Sequence, residues 1–534
     1  MANTKNTQKD EDGHGKFQWH CHTPGLWERN IDEAEQFYSS VAQLTREAGA
    51  GCFLVTACVN LRVAAPENVT HNKANDRIES AIRKAWLSLR YEYPTLASWT
   101  EYDGETDEWT KFYSPLSSLD QDSYDEQQRW LSSTLITIDS DMTGIEWLND
   151  DPPLFGRSTV YVLRPYTTCV GDYTHLRRTL LLRCPHEITD GIGILHLLKQ
   201  LVAHAARAFE LEDEYTTPVF GHETKNLSLP LRIAASLPAA PNAGQCSHFD
   251  ALKAKNTSLQ TSMPLLGLPL SAEKGAIGKR QYMPLSLSNN LSARVLSECK
   301  ARGISVTHAF SAALILVLRD VQPQGEQALS MRYYNHALIN LRHVCQPPYN
   351  TEAHAAAVYH MLSAQAISVD VLVPALNQEV EARVQEFAAV SDQVRSFFAS
   401  ARGSDSASLM DLVAVSPLMW ASMTPPSKRT VEKMSSPAKP EHNAPPLYSP
   451  VSISSIGNIT SIILPMHGAL VVSEAWVAAE SMGPGVGLFL GTYEATSTVV
   501  ASFDSNWHSN QYMGKFLERI VKQMVEGLGL NEEG

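Results

Sequence analysis

The strongest constraint in this chain is a change of hydrophobic period around one histidine. Residues 177–184 are β-prone, and they lead through Pro185-His186-Glu187-Ile188-Thr189-Asp190-Gly191 into a strongly apolar stretch, about 192–209. There Ile194, Leu198, Leu201 and Val202 recur at helical spacing, with few polar positions elsewhere. A strand that turns directly into so apolar a helix predicts a strand–turn–helix joint at the centre of its domain.

The remaining elements are read outward from that joint. A chain of 534 residues is several times the size at which one core stops growing, so two domains of similar size are expected. Residues 1–16 read as a loose polar tail and 17–215 as the N-terminal domain. Within it, 76–90 has helical spacing at Ile78, Ile82, Ala85 and Leu89, with Asn75 or Asp76 as cap and Tyr93-Pro94 as stop. Residues 158–164 read as a further strand. Residues 216–280 carry scattered prolines, among them Pro230, Pro238, Pro241, Pro264 and Pro269, and no sustained period, so they read as a crossover.

Residues 281–534 read as the C-terminal domain. A strand over 282–287 precedes a helix capped by Ser288, and Gly303 stops that helix before another carrying Val306, Phe310, Leu314 and Val317. A strand is expected over 333–344, a helix over 378–398 and a closing helix over 510–528. Residues 424–450, rich in Pro, Ser and Lys, predict an exposed loop with the basic side chains Lys428, Arg429, Lys433 and Lys439. Helices and strands intermixed in both halves point to an α/β sandwich, a mixed sheet flanked by helices, used twice.

Charge and cysteine usage exclude several functions. A net charge of −14 repels phosphate backbones and anionic lipid, so neither nucleic acid nor a membrane is an expected partner. The eight cysteines are scattered singly without a C-x-x-C pair, which predicts reduced thiols and no metal site. In His20-Cys21-His22 adjacent side chains would point to opposite sides of a strand. Gly483-Pro484-Gly485-Val486-Gly487 lacks the Lys-Ser/Thr of a phosphate cradle. The polar first residues and the lack of a run of roughly 20 apolar residues predict a cytoplasmic protein.

An imidazole with a reference pKa of about 6.5 at a strand end facing a cleft is suited to take a proton near neutral pH. His186 is therefore the candidate general base. Asp190, at the helix start, can organise the turn by accepting backbone N–H groups or pairing with an arginine, and Gly191 allows close backbone approach. On composition alone, an isolated His-x-x-x-Asp is more often structural than catalytic.

Context alters that balance. The segment from Leu181 through His186, Asp190 and Gly191 to Gly193 resembles the active-site segment of the H-x-x-x-D-G acyltransferase superfamily. That group includes chloramphenicol acetyltransferase, nonribosomal-peptide condensation domains, plant BAHD acyltransferases and fungal trichothecene O-acetyltransferases. Residues 81–99 resemble its first helix and the turn behind it, with Tyr93 where histidine is common. Residues 285–318 resemble its paired helices, Asn340-Leu341-Arg342 its strand end, and 498–524 its closing strand and helix. Only the histidine motif is specific. The D-F-G-W-G segment of the plant branch is missing, since Asp504-Ser505-Asn506-Trp507 belongs to the closing strand, which favours a fungal or bacterial natural-product branch.

The resemblance implies two chloramphenicol-acetyltransferase-like domains with a channel between them and His186 at its middle. It implies that His186 deprotonates the acceptor, which attacks a thioester without an acyl-enzyme, and that Asp190 pairs with Arg342. By analogy Ser454, Asn458 and Trp476 are candidates for the oxyanion donor or pocket. No bound cofactor is expected. The co-substrate is acyl-CoA, acetyl-CoA first, and the acceptor is a small-molecule hydroxyl of a specialised metabolite, handled by a monomer. The alternatives are a carrier-dependent condensation or cyclisation enzyme on the same fold, and a binding protein that has kept the fold without chemistry.

Overall fold

The computed structural model describes residues 14–49, 51–64, 69–117, 120–153, 155–166, 175–270, 278–376, 383–403, 406–427, 448–481 and 483–531. Its largest sheet has six strands, in the order Met466–His467, Leu470–Ala479, Leu54–Ala64, His175–Pro185, Thr159–Arg164 and Leu135–Asp139. All neighbours are antiparallel except the last two, which run parallel. Alternation along the His175 strand explains what covers each face. Leu176, Leu180, Leu182 and Cys184 pack beneath the helices His71–Glu92 and Gly191–Leu211 in the main core. Leu181 points the other way and, with Cys58, Tyr161 and Trp476, meets Tyr282 and Val500 of a second sheet.

That second sheet orders Val451–Asn458, Val486–Tyr493, Thr496–Asp504 and Arg280–Ser286. The helices Val306–Asp320, Arg383–Ala401 and Asn510–Gly527 contribute Phe310, Phe387 and Phe516 to its core. Two short hairpin-like pairs, Leu329–Asn335 with Ile367–Val373 and Leu338–Asn340 with His360–Leu362, extend the C-terminal lobe. The architecture is the expected pair of mixed sheets flanked by helices.

Several boundaries differ from the sequence reading, each for a physical reason. Residues 470–479 leave the C-terminal half and complete the N-terminal sheet, pairing with Leu54–Ala64 from Leu470↔Val63 to Ala479↔Val55. A division of the chain at residue 281 is therefore not a division of the sheets. The first long helix begins at His71, capped by the Thr70 side chain rather than by Asn75 or Asp76, and ends before Tyr93-Pro94. The proline-rich crossover contains a helix, Ala243–Thr261, started by a capping box of Asn242 and Gln245. Asn256 is its one buried residue, so it shows no apolar period to detect.

The strand expected over 333–344 is two strands, broken where the Asn335 side chain donates to the Val451 carbonyl (2.9 Å) and His336 turns to the Ser363 carbonyl (2.8 Å). Ser288 and Gly303 cap and stop the helix Asn289–Ala301 as predicted, with Gly303 at φ +65°. Most of the basic loop, 428–447, and residues 1–13 of the tail lie outside the described residues, while Phe17 is buried. Among the described residues no single helix is long and apolar enough to cross a membrane.

Trp476 lies in the apolar layer where the two sheets meet, opposite Cys58. Trp476→Ala is expected to lower unfolding free energy by about 3–5 kcal/mol and to shift near-UV and far-UV transitions together in a denaturant titration. A loss confined to one probe would mean that the lobes do not share this layer.

Candidate active site

Strand pairing delivers His186 to the lobe junction. Pro185 is the last residue paired with the Leu54 strand, His186 N–H donates to the Phe53 carbonyl (3.1 Å), and Ile188 N–H closes the turn on the Pro185 carbonyl (3.0 Å). Glu187 is anchored through its carbonyl, which accepts from Lys111 Nζ (2.7 Å). Lys111 is itself fully buried and bonded to Glu35 (2.5 Å), which Arg29 grips with two nitrogens at 2.7 Å each. Burial acts to raise the Glu35 pKa, but Arg29 and Lys111 outweigh it and hold the carboxyl at about 2. The turn thus rests on an ion cluster built from the helix Glu33–Glu47 and the small N-terminal sheet.

Asp190 caps the helix Gly191–Leu211, its Oδ1 accepting from Ile192 N–H (3.1 Å) and Gly193 N–H (2.8 Å). Arg342 Nη1 reaches both oxygens at 2.7 and 2.8 Å, and Tyr359 N–H donates to Oδ2 (2.8 Å). Burial acts against the charged form here too, but Arg342 and His360 hold this carboxyl well below the usual carboxylate range. The expected pairing of Asp190 with Arg342 is present. Arg342 Nη2 continues to the Ala357 carbonyl (3.1 Å) and Thr189 Oγ1 to the Ala355 carbonyl (2.8 Å), tying the turn to the C-terminal lobe.

The demand for a glycine falls more heavily on Gly193 than on Gly191. A Cβ at Gly193 would stand 2.3 Å from the Ala355 carbonyl oxygen and from Thr189 Oγ1, whereas one at Gly191 would meet only Ile456 Cδ1, at 3.1 Å. The same contact brings the strand Val451–Asn458 to the mouth of the helix. Ser454 lies two residues before Ile456 on that strand and is half-buried. Asn458 instead caps the turn Ile459–Ser461, accepting from Thr460 N–H (3.1 Å). Trp476 belongs to the apolar layer between the sheets.

The rings around His186 are Tyr38, Phe53 and His360. Tyr38 lies parallel to the imidazole with centroids 3.9 Å apart and planes 5° apart, Phe53 is stacked at 5.7 Å, and His360 is edge-on at 6.1 Å. Sequence reasoning missed Tyr38 and His360, because neither has a local signal and only the long-range fold brings them to the motif. His186 retains 7 % of its surface, and its Nδ1 is buried without a hydrogen-bond partner. Burial lowers its pKa to about 4, so the ring is neutral at pH 7. Where the sequence led to an imidazole standing in a channel, the ring is buried among aromatic side chains. A cleft of about 650 Å³ lies elsewhere, between the helices Ala243–Thr261 and Arg383–Ala401.

Asp190→Asn keeps an acceptor for the helix N–H groups but strands the buried Arg342 charge. It is expected to cost about 3–5 kcal/mol, measurable by urea denaturation, and a loss below about 1 kcal/mol would mean that water already screens the pair.

No protein-family model and no curated protein sequence matches this chain. Solved structures do. The chain is similar to trichothecene 15-O-acetyltransferase (TRI3) from Fusarium sporotrichioides, with a TM-score of 0.72 at 15% identity over 96% of this chain and 98% of that one. It is also similar to polyketide synthase associated protein 5 from Mycobacterium tuberculosis, with a TM-score of 0.52 at 14% identity over 93% and 98% of the two chains. The first condensation domain of the calcium-dependent antibiotic synthetase gives 0.52 at 14% identity over 94% and 96%. Two mixed sheets joined at a strand–turn–helix histidine segment, superposable over nearly the whole chain, give this protein the two-lobed chloramphenicol-acetyltransferase-like fold that these acetyltransferase and condensation-domain structures share.

Proposed function

We propose that this protein is an acyltransferase that moves an acyl group, acetyl first, from coenzyme A to a hydroxyl of a small specialised metabolite, with His186 as general base. One observation carries the reading: His186 is held neutral at the junction of the lobes while Asp190 is committed to Arg342. A neutral imidazole with Nδ1 enclosed leaves Nε2 to accept the acceptor's proton. The oxygen so freed attacks the thioester carbonyl, the carbon–sulfur bond breaks, and the leaving thiolate takes the proton back from the imidazolium.

Direct transfer is favoured over an acyl-enzyme. The nearest thiol in sequence, Cys184, is buried, and burial pushes its pKa up to about 12, so it offers no thiolate at neutral pH. The burial of the ring suits a reaction that competes with thioester hydrolysis, since it keeps bulk water from the base. Asp190, bound on all sides, serves to hold the turn. Ser454, on the strand that touches Gly191 through Ile456, is the better placed of the three oxyanion candidates.

The likeness to a condensation domain supports a second reading, in which the donor is a carrier-bound thioester. Incubating the purified protein with acetyl-CoA and a metabolite extract separates the two, because only the first releases free coenzyme A with acylated product. His186→Ala is expected to lower turnover by roughly 100- to 10,000-fold, and unchanged turnover in a folded variant would overturn the assignment.

The pH dependence has a defined sign. A histidine whose folded pKa lies below its unfolded value binds fewer protons folded than unfolded between about pH 4 and 6.5, so stability rises with pH across that window. The free base is the active form, so the acid limb of the kcat/KM profile should fall near pH 4. A limb centred near pH 6.5 would show that the ring is solvated in the working enzyme.

A further inference from the structure

We infer that His360 is a positioning residue for His186, acting through the ring of Tyr38. The inference rests on His186 being the reacting base, as proposed above. Its physical content is a chain of contacts that runs from the buried carboxylate to the face of the imidazole without touching the imidazole nitrogens.

The chain begins at Asp190, whose Oδ2 stands 3.6 Å from His360 Nδ1. An ionised carboxylate on that side favours the proton on Nδ1, which leaves Nε2 as an acceptor. Tyr38 Oη lies 2.8 Å from Nε2. Burial, and then Asp190, push the phenol pKa up, so the hydroxyl stays protonated and donates to that nitrogen. The hydrogen bond fixes the phenol on the helix Glu33–Glu47 and with it the ring that lies parallel to His186 at 3.9 Å.

The contact has a consequence for the base. A half-turn of the imidazole about its Cβ–Cγ bond would exchange the positions of its nitrogens, and it must sweep through space on both faces of the ring. Tyr38 fills one face at van der Waals distance, so the exchange requires Tyr38 to move, and His360 and Trp420 oppose that movement. Trp420, from the helix Ser416–Met423, has its ring 5.6 Å from Tyr38 and 5.5 Å from His360. Asp190 is thereby shared: Arg342 holds it from one side, while on the other it orients the histidine that holds the cover. Four separate elements converge here, and a reacting nitrogen misplaced by an ångström can cost about a hundredfold in rate.

The test uses the full-length protein with selectively 15N-labelled histidine. In the wild type, two-bond proton–nitrogen spectra should show one tautomer each for His186 and His360. Tyr38→Phe retains the ring and removes the hydroxyl, and His360→Leu removes the acceptor. Each should give His186 mixed or broadened ring nitrogen signals and lower kcat by about tenfold, with KM within about twofold. The double variant should be no slower than the worse single one, because both break one link. Should His360→Leu fail to fold, Tyr38→Phe and Tyr38→Leu carry the comparison, the latter slower because it also removes the stack.

A single unchanged His186 tautomer in Tyr38→Phe, or kcat losses that multiply in the double variant, would overturn the inference. A wild type that turns over no thioester would instead defeat the proposed function, while the nitrogen spectra would still decide whether His360 orders the His186 ring.

Discussion

The buried carboxylate of Asp190 is the point on which the junction of the two lobes depends. It takes two N–H groups from the start of its own helix, a guanidinium from Arg342 and the N–H of Tyr359, so donors from both halves of the chain converge on two oxygens. A desolvated charge is tolerable only when its partners are this complete, because burial alone would drive the carboxyl to the neutral form. Complete satisfaction also leaves Asp190 no freedom. It cannot travel to the imidazole, and the geometry of the turn is a by-product of satisfying it.

The Lys111 cluster has a related logic at the other side of the turn. Lys111 reaches the Glu187 carbonyl only because Glu35 compensates its charge, and Glu35 is in turn matched by Arg29. The result is a histidine followed by a turn pinned at two points by separate ionic groups, Glu187 through Lys111 and Asp190 through Arg342. Pre-organisation of this kind removes reorganisation from the reacting step, and its cost is met in the folding of the surrounding lobes.

Much of the frame was readable from residues alone, because local physics decided it. The strand–turn–helix joint at His186, the caps at Ser288 and Gly303 and the stop at Tyr93-Pro94 are all short-range. The Asp190–Arg342 pair was reachable only through family resemblance. What stayed hidden depends on distant pairing. Nothing in residues 470–479 says that their partner is 54–64 rather than a neighbour. The helix Ala243–Thr261 rests on a capping box without an apolar face. Tyr38 and His360 look like ordinary core residues of their own elements, and only the fold stacks one on His186 and hydrogen-bonds it to the other.

The strand Leu470–Ala479 carries a cost during synthesis. Until the ribosome has made it, the apolar strand Leu54–Ala64 has one side of its backbone unpaired, with Val55, Ala57, Val59, Leu61 and Val63 already committed to a core. Such an edge is a template for pairing with other chains, and its proper partner arrives only after more than 400 further residues have been made. The N-terminal lobe therefore cannot finish folding as an independent unit on emerging from the tunnel, and truncations that remove the C-terminal half leave it with an open, adhesive border.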